Sequence, residues 1–166
     1  MQIKEGMLDD ARVIALLETH LRTARVEAAP GSARALGLSG LKTPDIRFWS
    51  IWDAETLLGV GALKHLNGGH GELKSMHVAS DARRRGMGGK LLQHILSEAR
   101  SSGLSRLGLE TGSWDYFRPA VALYSTHGFS HCEPFGDYRP EPNSIFMTLS
   151  FSDQTANAAA EVEADG

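Results

Sequence analysis

The order of apolar and polar positions along the chain predicts an alternation of strands and helices. Residues 2–6 form a short strand, and Asp9 or Asp10 then caps a helix carrying Val13, Ile14, Leu16, Leu17 and Leu21 at helical spacing. Residues 28–44 are broken by prolines and glycines and read as a loop with room for one short helix. Residues 46–52, rich in β-branched and aromatic side chains, read as a strand. Asp53 and Ala54 turn the chain into a second strand, and the Asn67-Gly68-Gly69 stretch is a hairpin signal before a third, residues 71–78.

Beyond it, Met87, Leu91, Leu92, Ile95, Leu96 and Ala99 share one face of a helix, with Gly103 placed to end it. Residues 104–111 read as a buried strand. Pro119 lies in the first turn of a further helix that Gly128 stops, and strands follow around 129–133 and 144–151. Three strands joined in hairpin succession are antiparallel. The strand–helix–strand unit from Glu72 to Glu110 brings in a parallel neighbour by a right-handed crossover. The fold class expected is therefore α+β, a mixed sheet with helices on its faces. No repeat or linker divides residues 1–151, which read as a single domain. Residues 152–166 are small, polar and acidic and read as a disordered tail.

Composition narrows the function. The chain has 166 residues, and 17 basic against 20 acidic side chains give a net charge of -3, without the basic excess of a general nucleic-acid binder. Cys132 is the one cysteine, so an internal disulfide cannot form, which fits a reducing compartment. The start of the chain lacks the pattern of a signal peptide, and no apolar run reaches the roughly 20 residues of a membrane helix. A cytoplasmic protein without membrane or nucleic-acid partner is expected. The seven histidines show no metal-binding spacing, and no metal is expected.

The chemistry gathers at Asp81–Leu92, where Arg83, Arg84 and Arg85 precede Gly86, Met87, Gly88 and Gly89 and the chain then turns aliphatic. The stretch joins a strand to a helix start, where backbone N–H groups lack internal partners and the helix dipole is positive. Glycines there leave room for a phosphate to approach, and arginines add charged donors. A plain solvated turn is the competing reading. A dinucleotide fingerprint is excluded because Leu91 stands where its last glycine belongs. A Walker loop fails as well, with Arg84 at its first glycine and Leu91 in place of its hydroxyl residue.

Residues 83–88, RRRGMG, resemble the [RQ]-x-x-G-x-[GA] pyrophosphate loop of the GNAT superfamily of acyl-CoA-dependent N-acyltransferases. Residues 120–129, AVALYSTHGF, match that family's A-x-x-L-Y-x-x-x-G-F pattern at the expected separation. The resemblance covers roughly residues 2–151. It implies the GNAT fold: a mostly antiparallel sheet of about six to seven strands, about four helices, and splayed central strands. It further implies acetyl-CoA as co-substrate, transfer of the acetyl group to a primary amine by direct attack in a ternary complex, and a small-molecule amine as acceptor. Main-chain N–H groups from Arg84 to Gly89 would hold the pyrophosphate, with Arg83 and Arg85 assisting at the rim. Main-chain groups of Met76, His77 and Val78 would pair with the pantetheine arm. Ala120 and Tyr124 would meet the cofactor. Phe117 stands where many members carry an asparagine that touches CoA, so that contact is altered here.

Tyr124 matches the family tyrosine often assigned as general acid, a phenol able to protonate the departing thiolate. The competing reading is a helix tyrosine packed on Phe129. Two carboxylates are candidates for removing the amine proton. Glu72 lies four residues before Met76, where several members carry a glutamate, and simple alternation would put Glu72, Lys74 and Met76 on one face with Lys74 close enough to pair. Glu110, at the end of the neighbouring strand, is the rival, and either glutamate could serve only as an ion pair. A catalytically silent acyl-CoA-binding module of the same fold is the alternative function, and a homodimer is compatible with the family.

Overall fold

The computed structural model describes residues 1–27, 38–79, 86–113, 115–136, 138–140 and 142–151, without the side chains of residues 23–27 and 116. The expected tail, the arginines Arg83, Arg84 and Arg85, and most of the loop after the first helix lie outside the described residues.

The elements run β1 (Gln2–Glu5), α1 (Ala11–Glu27), α2 (Leu38–Leu41), β2 (Ile46–Asp53), β3 (Thr56–His65), β4 (His70–Val78), α3 (Met87–Ser101), β5 (Arg106–Gly112), α4 (Arg118–Thr126), β6 (Ser130–His131) and β7 (Ser144–Ser150). Asp10 is the residue that caps α1: its Oδ1 accepts the Arg12 N–H at 2.8 Å. The glycine pair before β4 forms a tight turn, with Gly68 and Gly69 at φ of 74° and 77°, a region open to residues without Cβ.

The strands make one seven-stranded sheet in the order β1-β2-β3-β4-β5-β7-β6. β1 to β4 pair antiparallel in succession, β4 and β5 pair parallel, and β7 lies antiparallel between β5 and β6. The parallel pair is joined by α3, the crossover expected of a strand–helix–strand unit. The central strands part, as the resemblance implies. Pairing between β4 and β5 comprises His70 with Arg106, Gly71 with Leu107 and Glu72 with Gly108, although the strands continue to Val78 and Gly112.

Apolar side chains cover both faces. On one, Leu91, Leu92 and Ile95 of α3 pack with Trp49, Leu63, Leu73, Leu107, Leu109 and Met147, and α4 adds Tyr124. On the other, Val13 and Leu17 of α1 and Leu41 of α2 pack with Phe48, Trp52, Val60 and Ala62.

Strict alternation fails in β4. The register against β3 slips between Val60 and Ala62, and Ser75 adopts a left-handed φ of 57°, the mark of a bulge. Lys74 pairs with Ala62 and His77 with Val60, so both lie on the α1 face. Met76 instead packs with the α3 cluster, and a Cβ at Gly61 would meet its Sδ at 2.7 Å. Met76 therefore does not share the face of Glu72 and Lys74, because the bulge inserts an extra residue between them.

Candidate functional site

Beyond the last β4–β5 pair, Glu72 with Gly108, a cavity of about 560 Å³ opens at the end of β4. Met76, His77 and Val78 come to it from the end of β4, and Gly86, Met87, Gly88 and Gly89 from the start of α3. Phe117 comes from just before α4, and Ala120 and Tyr124 from within it. Ten residues singled out in the sequence thus meet at one place. The sequence separates them by up to 48 positions, and the crossover brings them together.

The start of α3 is open towards the cavity. Gly86 precedes the first helical residue with φ of 78°, and a Cβ on it would touch nothing within 4 Å. Gly88 is closed in: a Cβ there would lie 3.2 Å from Leu123 and 3.3 Å from Val78, so α3 approaches α4 and β4 only because the side chain is missing. The helix that follows has 15 residues and brings its N–H groups and dipole to the cavity rim. The loop arginines belong to the residues not described.

Tyr124 is 6% exposed and packs against Phe129 at 5.8 Å between ring centroids. Burial pushes its phenol well above the ordinary value, so the hydroxyl keeps its proton at any physiological pH. It is a donor at the cavity wall.

Glu72 lies on the α1 side of the sheet, 4% exposed. Its Oε2 accepts the Lys74 ammonium at 2.9 Å and the Tyr138 hydroxyl at 2.6 Å, while Lys74 also donates to the Tyr138 oxygen at 3.0 Å. This closed triangle fastens the segment between β6 and β7 to β4. Phe135 from the same segment lies over Gly108, where a Cβ would meet its ring at 2.8 Å, and Phe135, Tyr138 and Phe146 pack ring to ring. Glu110 accepts the Ser144 hydroxyl at 3.2 Å across the β5–β7 ladder. Among the described residues, the cavity lining includes neither Glu72 nor Glu110.

The lining includes one titratable residue that the sequence reading passed over. His20 of α1, 7% exposed, places its Nδ1 3.1 Å from Nδ1 of His77, with the two rings tilted at 47°. Desolvation lowers the His20 pKa to about 4, so this imidazole is neutral at pH 7. The signal was present in the spacing: Val13, Leu17 and His20 fall at i, i+4 and i+7, which sets the histidine on the buried stripe of α1. No cluster of three or more metal-ligating side chains exists among the described residues, and no described helix is long and apolar enough to cross a membrane.

Comparison with known proteins places this arrangement among relatives. The Acetyltransferase (GNAT) family matches residues 14–129. An uncharacterized N-acetyltransferase of Bacillus subtilis, YsnE, is 47% identical over 148 residues, covering 89% of this chain and 98% of the relative. An IAA acetyltransferase of Azospirillum brasilense is 41% identical over 145 residues, covering 87% and 93%. Among solved structures, the PaiA N-acetyltransferase of Thermoplasma acidophilum in complex with coenzyme A shares the fold. Its TM-score is 0.67 at 13% identity, over 90% of this chain and 99% of that one.

Proposed function

Because the chain belongs to the acetyltransferase (GNAT) family and is an acyltransferase, we propose that it transfers the acetyl group of acetyl-CoA to a primary amine of a small molecule. The observation that carries this reading is the cavity beyond the last β4–β5 pair, which joins a glycine-lined helix start, the end of a strand and a buried tyrosine. Residues 1–151 are read as one acyltransferase domain.

The residues present fit such a co-substrate. Gly86, Gly88 and Gly89 open the N-terminus of α3 to a pyrophosphate, with Arg83, Arg84 and Arg85 directly before them in the chain. Pairing of β4 by β5 ends at Glu72, so a pantetheine arm laid along Met76, His77 and Val78 would take the place of the missing strand. The apolar side chains of Phe117, Ala120 and Leu123 would cover it. Acetyl-CoA supplies the acetyl group as a thioester, which an amine attacks directly. Tyr124 would donate its hydroxyl proton towards the sulfur as the C–S bond breaks. Burial raises its pKa and opposes the phenolate, so the transfer depends on the thiolate forming beside it. The acceptor would approach from the α1 side of the sheet, which His20 of α1 lines and the segment bearing Phe135 and Tyr138 flanks. There Glu72 holds Lys74 and Tyr138 in place, and Glu110 stands at the end of β5.

The decisive experiment is acetyl-CoA turnover, followed by thiol release, against alkylamines, arylalkylamines, amino acids, aminoglycosides, peptide N-termini and IAA. The last is included because a relative is named for it. Amine-dependent release is expected, reduced about 10²-fold or more in Tyr124→Phe if the phenol acts as general acid. Gly88→Asp, which sets a side chain and a negative charge in the cavity, is expected to abolish CoA binding. Binding of acetyl-CoA without acetylation of any acceptor would instead identify a silent acyl-CoA-binding module.

A further inference from the structure

The transferase reading leaves a buried imidazole pair without a task. His20 and His77 both line the cavity that holds Tyr124, both are 7% exposed, and their Nδ1 atoms stand 3.1 Å apart. We propose that the His20–His77 pair is the proton acceptor of the reaction, taking the proton that the amine nitrogen must lose as it joins the acetyl carbon. This rests on the proposed transfer to an amine.

The geometry dictates how the pair carries protons. Two Nδ1 atoms at hydrogen-bond distance need one proton between them, so one ring is the Nδ1–H tautomer and the other the Nε2–H tautomer. The first ring then presents a bare Nε2 lone pair, and the second an Nε2–H. A proton arriving at the bare Nε2 displaces the shared proton across the Nδ1–Nδ1 bond, and the charge moves to the second ring. A pair of this kind accepts a proton at one end and releases one at the other. Burial opposes charge on His20, so His20 is the ring that presents the bare Nε2 and passes the shared proton on, and the charge comes to rest on His77. The neighbouring charges on the same face of β4, Glu72 and Lys74, are bonded to each other.

The balance of the step is complete. The C–N bond forms and the C–S bond breaks. The amine enters as the neutral base, its ammonium proton left in solvent. On attack the nitrogen gives one proton to the pair, sulfur receives one from Tyr124, and solvent returns the imidazolium and the phenol to their starting forms. Histidine is better suited to this than Glu72, whose carboxylate accepts two hydrogen bonds, from Lys74 and Tyr138, and lies outside the cavity lining.

The test uses His20→Asn and His77→Asn, in which the side-chain amide takes the position of Nδ1 and keeps the bond between α1 and β4 while removing Nε2. With the best acceptor from the panel above, kcat is expected to fall about 10²-fold or more in at least one variant. The Kd of His20→Asn for acetyl-CoA, measured by calorimetry, should stay within about twofold of the parent. Added imidazole should restore part of the activity to the corresponding alanine variant, which a merely structural role would not allow. Unchanged kcat in both asparagine variants overturns the proposal. A second measurement needs no variant: ¹⁵N shifts of the histidine rings in the intact protein at pH 7 should show one Nδ1–H and one Nε2–H tautomer. Two Nε2–H tautomers, or a charged pair, would overturn it. If the wild-type protein releases thiol with no acceptor in the panel, the transferase reading fails, and with it the role of the pair.

Discussion

His20 occupies a position that the spacing of α1 reserves for an apolar side chain, three residues after Leu17, and it is held there without charge. An imidazole with a folded pKa of about 4 against an ordinary 6.5 has a defined consequence for stability. Between those values the unfolded chain takes up a proton that the folded chain refuses. The stabilisation relative to acid is therefore complete above about pH 6.5 and is lost as the pH falls towards 4. It amounts to on the order of 3 kcal/mol. Urea denaturation between pH 7 and pH 4 should show this loss in the wild-type protein and a shallower one in His20→Asn. Equal slopes would mean that His20 is not buried in its neutral form. At this scale the sequence was legible where a residue type carries its own explanation. Gly86, Gly88 and Gly89 could be placed at a strand-to-helix turn, and at Gly88 the close approach of Leu123 and Val78 requires the missing side chain. Tyr124 could be read because its helix carries a recognisable pattern. His20 could not, since a histidine on a core stripe gains meaning only from the residue it faces, and His77 is 57 positions away.

Among the elements, the strands and helices followed from periodicity, but the face assignment within β4 did not. Nothing in the sequence marks Ser75 as left-handed, since the residue is not a glycine. The trace it leaves is on the next strand, where Gly61 makes room for Met76. The segment between β6 and β7 was legible as a proline-bearing loop, yet its anchorage was not. Glu72, Lys74 and Tyr138 form their triangle across 66 positions, and Phe135 covers Gly108 from the same segment. That packing ties the α1 side of the sheet, where the proposed acceptor would enter, to one missing side chain. Gly108→Ala places a methyl group 2.8 Å from the Phe135 ring and must displace it. The variant is expected to raise KM for the acceptor several-fold with little change in KM for acetyl-CoA, measured by varying each substrate in turn. Parallel changes in both constants would show that the segment serves the whole sheet and not the acceptor side alone.

Across the whole molecule, the seven strands among the described residues fall into two antiparallel groups, β1 to β4 and β5 to β7, whose backbone ladders meet in three residue pairs. Helix α3 crosses between them, and the Glu72–Lys74–Tyr138 triangle ties the β6–β7 segment to β4. The order of elements made the parallel junction legible, through the crossover rule, whereas the point at which it opens came from family resemblance and not from any local signal. Each group is completed by its own hairpins or ladder, so parting the two at their common boundary sacrifices few backbone hydrogen bonds. The same boundary is where amides should exchange with deuterium most readily for buried strands. A ligand bridging it would act as a splint. On addition of acetyl-CoA, exchange should slow in residues 73–78 and 109–112 and remain nearly constant in β1 and β2, as followed by mass spectrometry. Slowing spread evenly over all strands would contradict this. The protein would thus be stiffest while loaded, its two halves becoming a single mechanical unit only for the time that the co-substrate stays between them.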